Sequence, residues 1–126
     1  ELYHVIKDTF LEVNGKKDKY YIQCWLNWYE KDQNIDWHMH WPKGLDVWHG
    51  YFSVDVEPSI TSYMLPDGSK YDIENKDNHL VIGKSEGDQH KSWPWPYEDR
   101  PRVTIAFDIV PQRHINDEWV NHWIPL

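Results

Sequence analysis

Cysteine is nearly absent: the chain of 126 residues has one, Cys24. A lone cysteine forms no internal disulfide and fits a reducing compartment, so a cytoplasmic setting is expected. Cys24 sits in the apolar stretch 20–28, where a buried structural thiol is the default reading, and no catalytic role is expected of it. Long hydrophobic runs are missing too. No apolar stretch approaches the length of a membrane span, and no signal-peptide pattern opens the chain. The chain begins at Glu1 rather than at methionine, so its native start is expected to be trimmed or to lie upstream. Basic residues are scarce, 13 against 21 acidic ones, for a formal net charge of −8. Binding along a phosphate backbone needs clustered lysine and arginine, so nucleic-acid binding is not expected.

Helical periodicity is also sparse. Residues 4–13 carry Val5, Ile6, Phe10 and Val13 on roughly one helical face. Asn14-Gly15 then either ends that helix or turns a hairpin. The tail, 115–124, reads as one amphipathic turn or an edge strand.

Strand signals fill the rest. Residues 20–28 (YYIQCWLNW) are aromatic and β-branched without glycine or proline. Residues 48–56 alternate, with Tyr51, Ser53 and Asp55 on one side and Phe52, Val54 and Val56 on the other, and Pro58 closes the run. Residues 60–65 end in Pro66-Asp67-Gly68, a turn signal, and 69–74 return as the second half of a hairpin. Residues 79–83 and 102–110 complete the set. Six or more short strands at turn-punctuated intervals predict one all-β sandwich or barrel spanning 1–126.

Nine tryptophans and eight histidines are the compositional anomaly. Most of the tryptophans read as core or half-exposed sheet residues. The histidines have informative spacing. His38 and His40 form an H-x-H pair, and in an extended segment a period of two puts both imidazoles on one face, where they can chelate one ion. His90 follows fifty residues later, just after a strand and its glycine-bearing turn. Histidine is the commonest metal ligand and suits Fe, Cu, Ni and Zn alike. An H-x-H pair alone also occurs on solvated strands. His4, His79, His114 and His122 have no spacing argument and read as surface residues; His49 is either pocket-lining or exposed. Twelve residues after His90 stands Arg102, with Thr104 two positions on. One strand face then offers an arginine fork and a hydroxyl, a clamp for a carboxylate. Beside a metal, such a clamp would hold the far end of a chelating dicarboxylate.

The order H-x-H, a gap of about fifty residues, His, then R-x-T in a strand resembles the 2-oxoglutarate- and Fe(II)-dependent oxygenases. More narrowly, the segments WLNWY (25–29), HMHWP (38–42), HGYFSV (49–54), DQH (88–90) and RVTIAFD (102–108) resemble bacterial and phage-type members. The resemblance covers roughly 20–110 and implies a double-stranded β-helix, the jelly-roll fold, with iron at its open mouth. It implies Fe(II) on His38, His40 and His90, and 2-oxoglutarate on Arg102 and Thr104. Tyr51 would add a hydrogen bond to the cosubstrate, and Asn27 and Trp25 would line the same mouth. The substrate would be a small molecule or a peptide side chain. The chain departs from the family at position 40, where the usual carboxylate ligand is a histidine. Either the centre has three histidines, or Asp36 or Asp46 supplies the carboxylate. A cupin-like metal-binding module without oxygenase activity is the alternative, although the glutamate and P-x-G of cupins are missing. A carbohydrate-binding sandwich is a third reading, suggested by Trp93, Trp95 and Tyr97. The stretch Trp93-Pro94-Trp95-Pro96 reads equally as a stiff loop over the barrel mouth.

Overall fold

The computed structural model describes residues 1–116, 118 and 122–126. Among the described residues one helix, α1 (Leu2–Asn14), precedes nine strands: β1 (Tyr20–Tyr29), β2 (Ile35–His38), β3 (Trp48–Asp55), β4 (Ser59–Met64), β5 (Lys70–Asn75), β6 (Leu80–Lys84), β7 (Gln89–Ser92), β8 (Arg102–Pro111) and β9 (Ile124–Pro125). A short 3-10 turn, Gln112–His114, follows β8. Part of the expected tail element, residues 117 and 119–121, lies outside the described residues.

The strands form two sheets, ordered β6-β3-β8-β1-β9 and β2-β7-β4-β5, with every pairing antiparallel. Chain neighbours seldom pair, because the chain repeatedly crosses from one sheet to the other. This is the jelly-roll architecture, which places two inner faces against each other. The β4–β5 hairpin turns at the expected Pro66-Asp67-Gly68, with Asp67 Oδ1 accepting from the Ser69 N–H at 2.9 Å. Two strands have no counterpart among those expected, the short β2 and β7; the letters of β7, Gln-His-Lys-Ser, carry no apolar alternation.

The five-stranded sheet is buried unevenly, and α1 is the reason. The helix ends at Gly15, which adopts the left-handed conformation (φ 65°) that glycine enters without strain. It lays Ile6 and Phe10 across the outer face, onto Tyr20, Ile22, Trp48, Phe107 and Ile109. Phe10 meets Tyr20 and Trp48 edge-on, at centroid distances of 4.9 and 5.8 Å. Val5 and Val13, expected on the buried face, are exposed, because Leu2 and Tyr3 share that face with Ile6 and Phe10 instead. Under the helix, β8 is buried on both faces from Ala106 to Pro111; beyond it, burial alternates. On β1 the outer residues beyond the helix are open to solvent, with Leu26 60% and Trp28 56% exposed. Cys24 belongs to that open half and is exposed, not buried as its apolar neighbours suggested. No helix among the described residues is long and apolar enough to cross a membrane.

The inner face of the same sheet is polar for a core. It carries Tyr51 and Ser53 from β3, Arg102, Thr104 and Asp108 from β8, and Trp25, Asn27 and Tyr29 from β1. Gly50 makes the packing possible. A Cβ there would overlap the Val81 carbonyl oxygen and stand 2.6 Å from Phe107 Cζ.

Candidate metal centre

His38 closes β2 directly opposite His90 of β7, so one antiparallel pair sets two imidazoles side by side. His40 lies just past the strand end and turns inward over Trp25, against which it stacks at 5.7 Å. The ring centroids of His38 and His90 are 4.2 Å apart, and those of His40 and His90 4.9 Å. One nitrogen from each of His38, His40 and His90 falls within 4.8 Å of the other two. The three histidines singled out by spacing therefore do meet.

Hydrogen bonds fix which nitrogens face inward. His38 Nδ1 is 2.8 Å from the carbonyl oxygen of Asp36, which can only accept. His40 Nδ1 is 3.2 Å from the Asp108 carboxylate, likewise an acceptor. Each Nδ1 therefore carries the proton, leaving a lone pair on each Nε2. Those two Nε2 atoms stand 3.2 Å apart. Two facing lone pairs repel unless a cation lies between them. Two imidazole nitrogens bound at about 2.0–2.1 Å to one ion, at angles of about 90–109°, stand roughly 2.8–3.4 Å apart. The observed separation falls in that interval. His90 Nδ1 is buried within the cluster without a hydrogen-bond partner, an orphan that a bound ion would satisfy. The donor set thus fits a divalent metal. Burial and the neighbouring imidazoles hold His90 down at about 3, and burial lowers His38 as well, so both rings are neutral and ligand-competent near neutral pH.

Neither carboxylate proposed from sequence joins the cluster. Asp36 is exposed and its Oδ1 accepts from the Trp37 N–H at 2.7 Å; the β2–β7 pairing shifts register between Ile35 and His38, so counting by twos fails there. Asp46 is engaged elsewhere, by Lys16 at 3.0 Å and the Tyr20 hydroxyl at 2.8 Å. The acids that do lie at the cluster are Asp108 and Asp88. Asp108 orients His40 through Oδ1 and accepts from the Trp41 indole at 3.0 Å through Oδ2, which gives a carboxylate–histidine arrangement behind the ligand atom. Asp88 is paired with His49, whose Nε2 lies 3.3 Å from its Oδ2. His49 is inside the cluster, 5.3 Å from the His90 ring and 5.5 Å from that of His40.

A cavity of about 210 Å³ runs from the histidines along the inner face of β8. Trp25, Asn27, Tyr51 and Thr104 all line it, and Arg102 stands at the far end. Ala106 and Arg102 are four residues apart on the strand, about 13 Å. Arg102 is only 4% exposed. Its Nε is 3.4 Å from Ser59 Oγ and its guanidinium lies 5.7 Å from the Tyr29 ring, and no carboxylate among the described residues pairs with it. A buried cation without a counter-charge is costly, and its presence beside a cavity points to an anionic ligand. Asn75, not anticipated from sequence, organises the wall opposite. It accepts from the Tyr51 hydroxyl at 2.7 Å and donates to Ser59 and Thr61 at 3.0 Å each, linking Tyr51 to the group that Arg102 touches. Asn27 Nδ2 reaches Thr104 Oγ1 at 3.4 Å across the β1–β8 pair.

The Trp93–Pro96 stretch does not line this cavity. Trp95 is 1% exposed and donates its indole N–H to the Arg100 carbonyl at 2.7 Å, so it is core and not a stacking platform.

No protein-family model matches the chain, and no curated protein matches it in sequence. Solved structures do match in fold. A Pseudomonas putida prolyl-4-hydroxylase superposes with a TM-score of 0.67 at 16% identity, over 89% of this chain and 64% of that one. A non-heme monooxygenase, ThoJ, in complex with nickel superposes with a TM-score of 0.62 at 12% identity, over 86% of this chain and 50% of that one. A protein of Bacillus halodurans gives 0.52 at 13% identity, over 85% and 79%. The chain thus spans under two thirds of the length of the first two. At these identities the likeness is one of fold: a jelly roll of the kind found in a hydroxylase and a non-heme monooxygenase, here carrying a histidine cluster with metal-site geometry.

Proposed function

We propose that this chain is an Fe(II)- and 2-oxoglutarate-dependent oxygenase that hydroxylates a small-molecule or peptide substrate. The observation that carries the reading is a pairing within one cavity. Two imidazole lone pairs meet 3.2 Å apart at one end, and a buried arginine without an acidic partner waits at the other. His38, His40 and His90 would hold the ion. Arg102 and Thr104 would bind the distal carboxylate of 2-oxoglutarate, with Tyr51 and Asn27 on the cavity wall beside it. Fe(II), when bound, supplies oxygen activation, and 2-oxoglutarate supplies two electrons as it breaks down to succinate and carbon dioxide.

The protein's own contribution is orientation and exclusion. Asp108 and the Asp36 carbonyl keep His40 and His38 in the tautomer that presents Nε2. Trp25, Tyr51 and Tyr63 surround the imidazoles with apolar surface and restrict water. Burial pushes the Tyr63 phenol far above its ordinary value, so it stays protonated and neutral beside the cluster. Three neutral imidazoles leave the full charge of a divalent ion to be balanced by what binds it next. A chelating dicarboxylate offsets half of that charge at one end and neutralises Arg102 at the other.

The test is spectroscopic. Anaerobic addition of Fe(II) and 2-oxoglutarate should produce the weak visible charge-transfer band of a chelated keto acid. Arg102→Ala should remove the band and leave metal content unchanged. Metal binding without any such band in the wild type would instead favour a metal-binding jelly roll that is not an oxygenase, the reading that the missing carboxylate at position 40 supports.

A further inference from the structure

His90 belongs to two constellations. Besides the three-imidazole group, one ligand atom from each of His49, Asp88 and His90 lies within 4.8 Å of the other two. We propose that His49, Asp88 and His90 form a second binding position for a divalent cation, carboxylate-bearing and overlapping the first through His90. The inference rests on reading the cluster as cation-binding and adds where else in it an ion can sit.

Three observations support it. His49 Nε2 and Asp88 Oδ2 are 3.3 Å apart, within the roughly 2.8–3.4 Å spacing of two ligands on one ion. Both residues are almost wholly buried, at 6% and 5% exposure, His49 on β3 and Asp88 in the turn leading into β7 of the other sheet, so neither is a solvated surface group. Asp88 Oδ1 already accepts from the Glu86 N–H at 3.1 Å, which orients the carboxylate and leaves Oδ2 for a cation. Access exists as well. A second cavity, about 310 Å³, reaches His49 and Asp88 from the side away from Arg102, past Tyr63 and Tyr71. An ion entering there replaces the direct contact between His49 Nε2 and Asp88 Oδ2, with the imidazole proton carried on Nδ1 of the bound ring.

Two consequences follow from the chemistry of the shared ligand. A neutral imidazole has one lone pair, so His90 serves one ion at a time and the two positions exclude each other. Their preferences also differ. Three neutral nitrogens suit Fe(II), Ni(II), Cu(II) or Zn(II), while an anionic oxygen donor improves the match to Mn(II). This second position has the carboxylate ligand that the three-histidine group lacks, from β7's leading turn two residues before His90.

Mn(II) and Zn(II) binding, measured as bound metal per chain after equilibrium dialysis, tests this. Far-UV circular dichroism and thermal unfolding would confirm that each variant is folded. The wild type should bind one equivalent of either ion. His38→Ala/His40→Ala should still bind one Mn(II), and adding the isosteric Asp88→Asn should weaken that at least tenfold. His90→Ala should bind neither ion. A folded His38→Ala/His40→Ala protein that binds no Mn(II) at concentrations saturating the wild type would overturn the inference and leave the three-histidine centre standing. So would an Asp88→Asn change without effect, while two equivalents in the wild type would refute exclusive sharing. Conversely, wild-type metal lost on Asp88→Asn and insensitive to His38→Ala/His40→Ala supports this triad and removes the three-histidine centre. No binding of either ion by the wild type removes both.

Discussion

Replacing Arg102 with methionine should have opposite effects on the free and the liganded protein. The guanidinium carries five N–H donors, yet its contacts are one long hydrogen bond to Ser59 and the face of Tyr29. Those two contacts are together worth about 1–2 kcal/mol. Against them stands the desolvation of an unpaired buried ion, effectively several kcal/mol and lessened here because the cavity admits solvent. Burial also lowers the Arg102 pKa, with Tyr29 and Tyr51 opposing the shift, which is the same penalty seen from the proton side. The unliganded variant should therefore be as stable as the wild type or up to about 2 kcal/mol more so, a rise in Tm of roughly 0–8 °C. With 2-oxoglutarate at a hundred times its Kd, the wild type should gain about 2.7 kcal/mol, roughly 10 °C. Losing one partner of a buried charge pair costs about 2–5 kcal/mol, so the variant at the same concentration should gain less than about 1 kcal/mol. Thermal unfolding with and without the ligand, in the presence of a redox-inert divalent ion, reads both effects. An Arg102→Met protein that loses more than about 2 kcal/mol without ligand, yet keeps the full ligand shift, would refute the reasoning. Arg102 would then be a structural residue with no role in anion binding.

Asp108→Asn should weaken metal binding by about 10–100-fold while leaving the fold intact, because an amide can accept from only one of the His40 and Trp41 donors; competition against a chelator measures it. The metal-free protein should lose stability in acid. The folded His90 pKa, near 3, and the lowered His38 pKa lie below the ordinary unfolded value of about 6.5. The unfolded chain therefore takes up protons first as pH falls. Stability should be unaffected above about pH 6.5 and should decline below it towards pH 3, by up to about 1.4 kcal/mol per unit for each histidine held neutral; a flat denaturation midpoint across that window would contradict this. Gly50→Ala should destabilise by about 1–3 kcal/mol in chemical denaturation, since the new methyl overlaps the backbone of β6 and the Phe107 ring.

Much of the fold and half of the site were readable from local pattern. Strand letters and a period of two located β1, β3, β4 and β8, and Pro66-Asp67-Gly68 located the hairpin turn. Arg102 and Thr104 share a face because they are two apart on one strand, whereas His38 and His40 are close because they are two apart in the chain, His40 turning inward past the end of β2. Such relations are carried by covalent geometry over a few residues, so sequence determines them. What the tertiary structure alone decided involves partners far apart in the chain. His40 meets Asp108 across 68 positions, and His49, Asp88 and Asn75 gain their roles only when the two sheets close face to face. Cys24, Leu26 and Trp28 show the same limit for burial, since a strand has two faces and its letters do not say where a covering helix stops. Helix α1 covers half of that sheet, and its reach is set by packing of Ile6 and Phe10 onto β1, β3 and β8, strands drawn from along the whole chain. The missing carboxylate at position 40 was legible in the sequence; the buried acids standing around its replacement were not, because only the crossing of the chain between sheets brings them there.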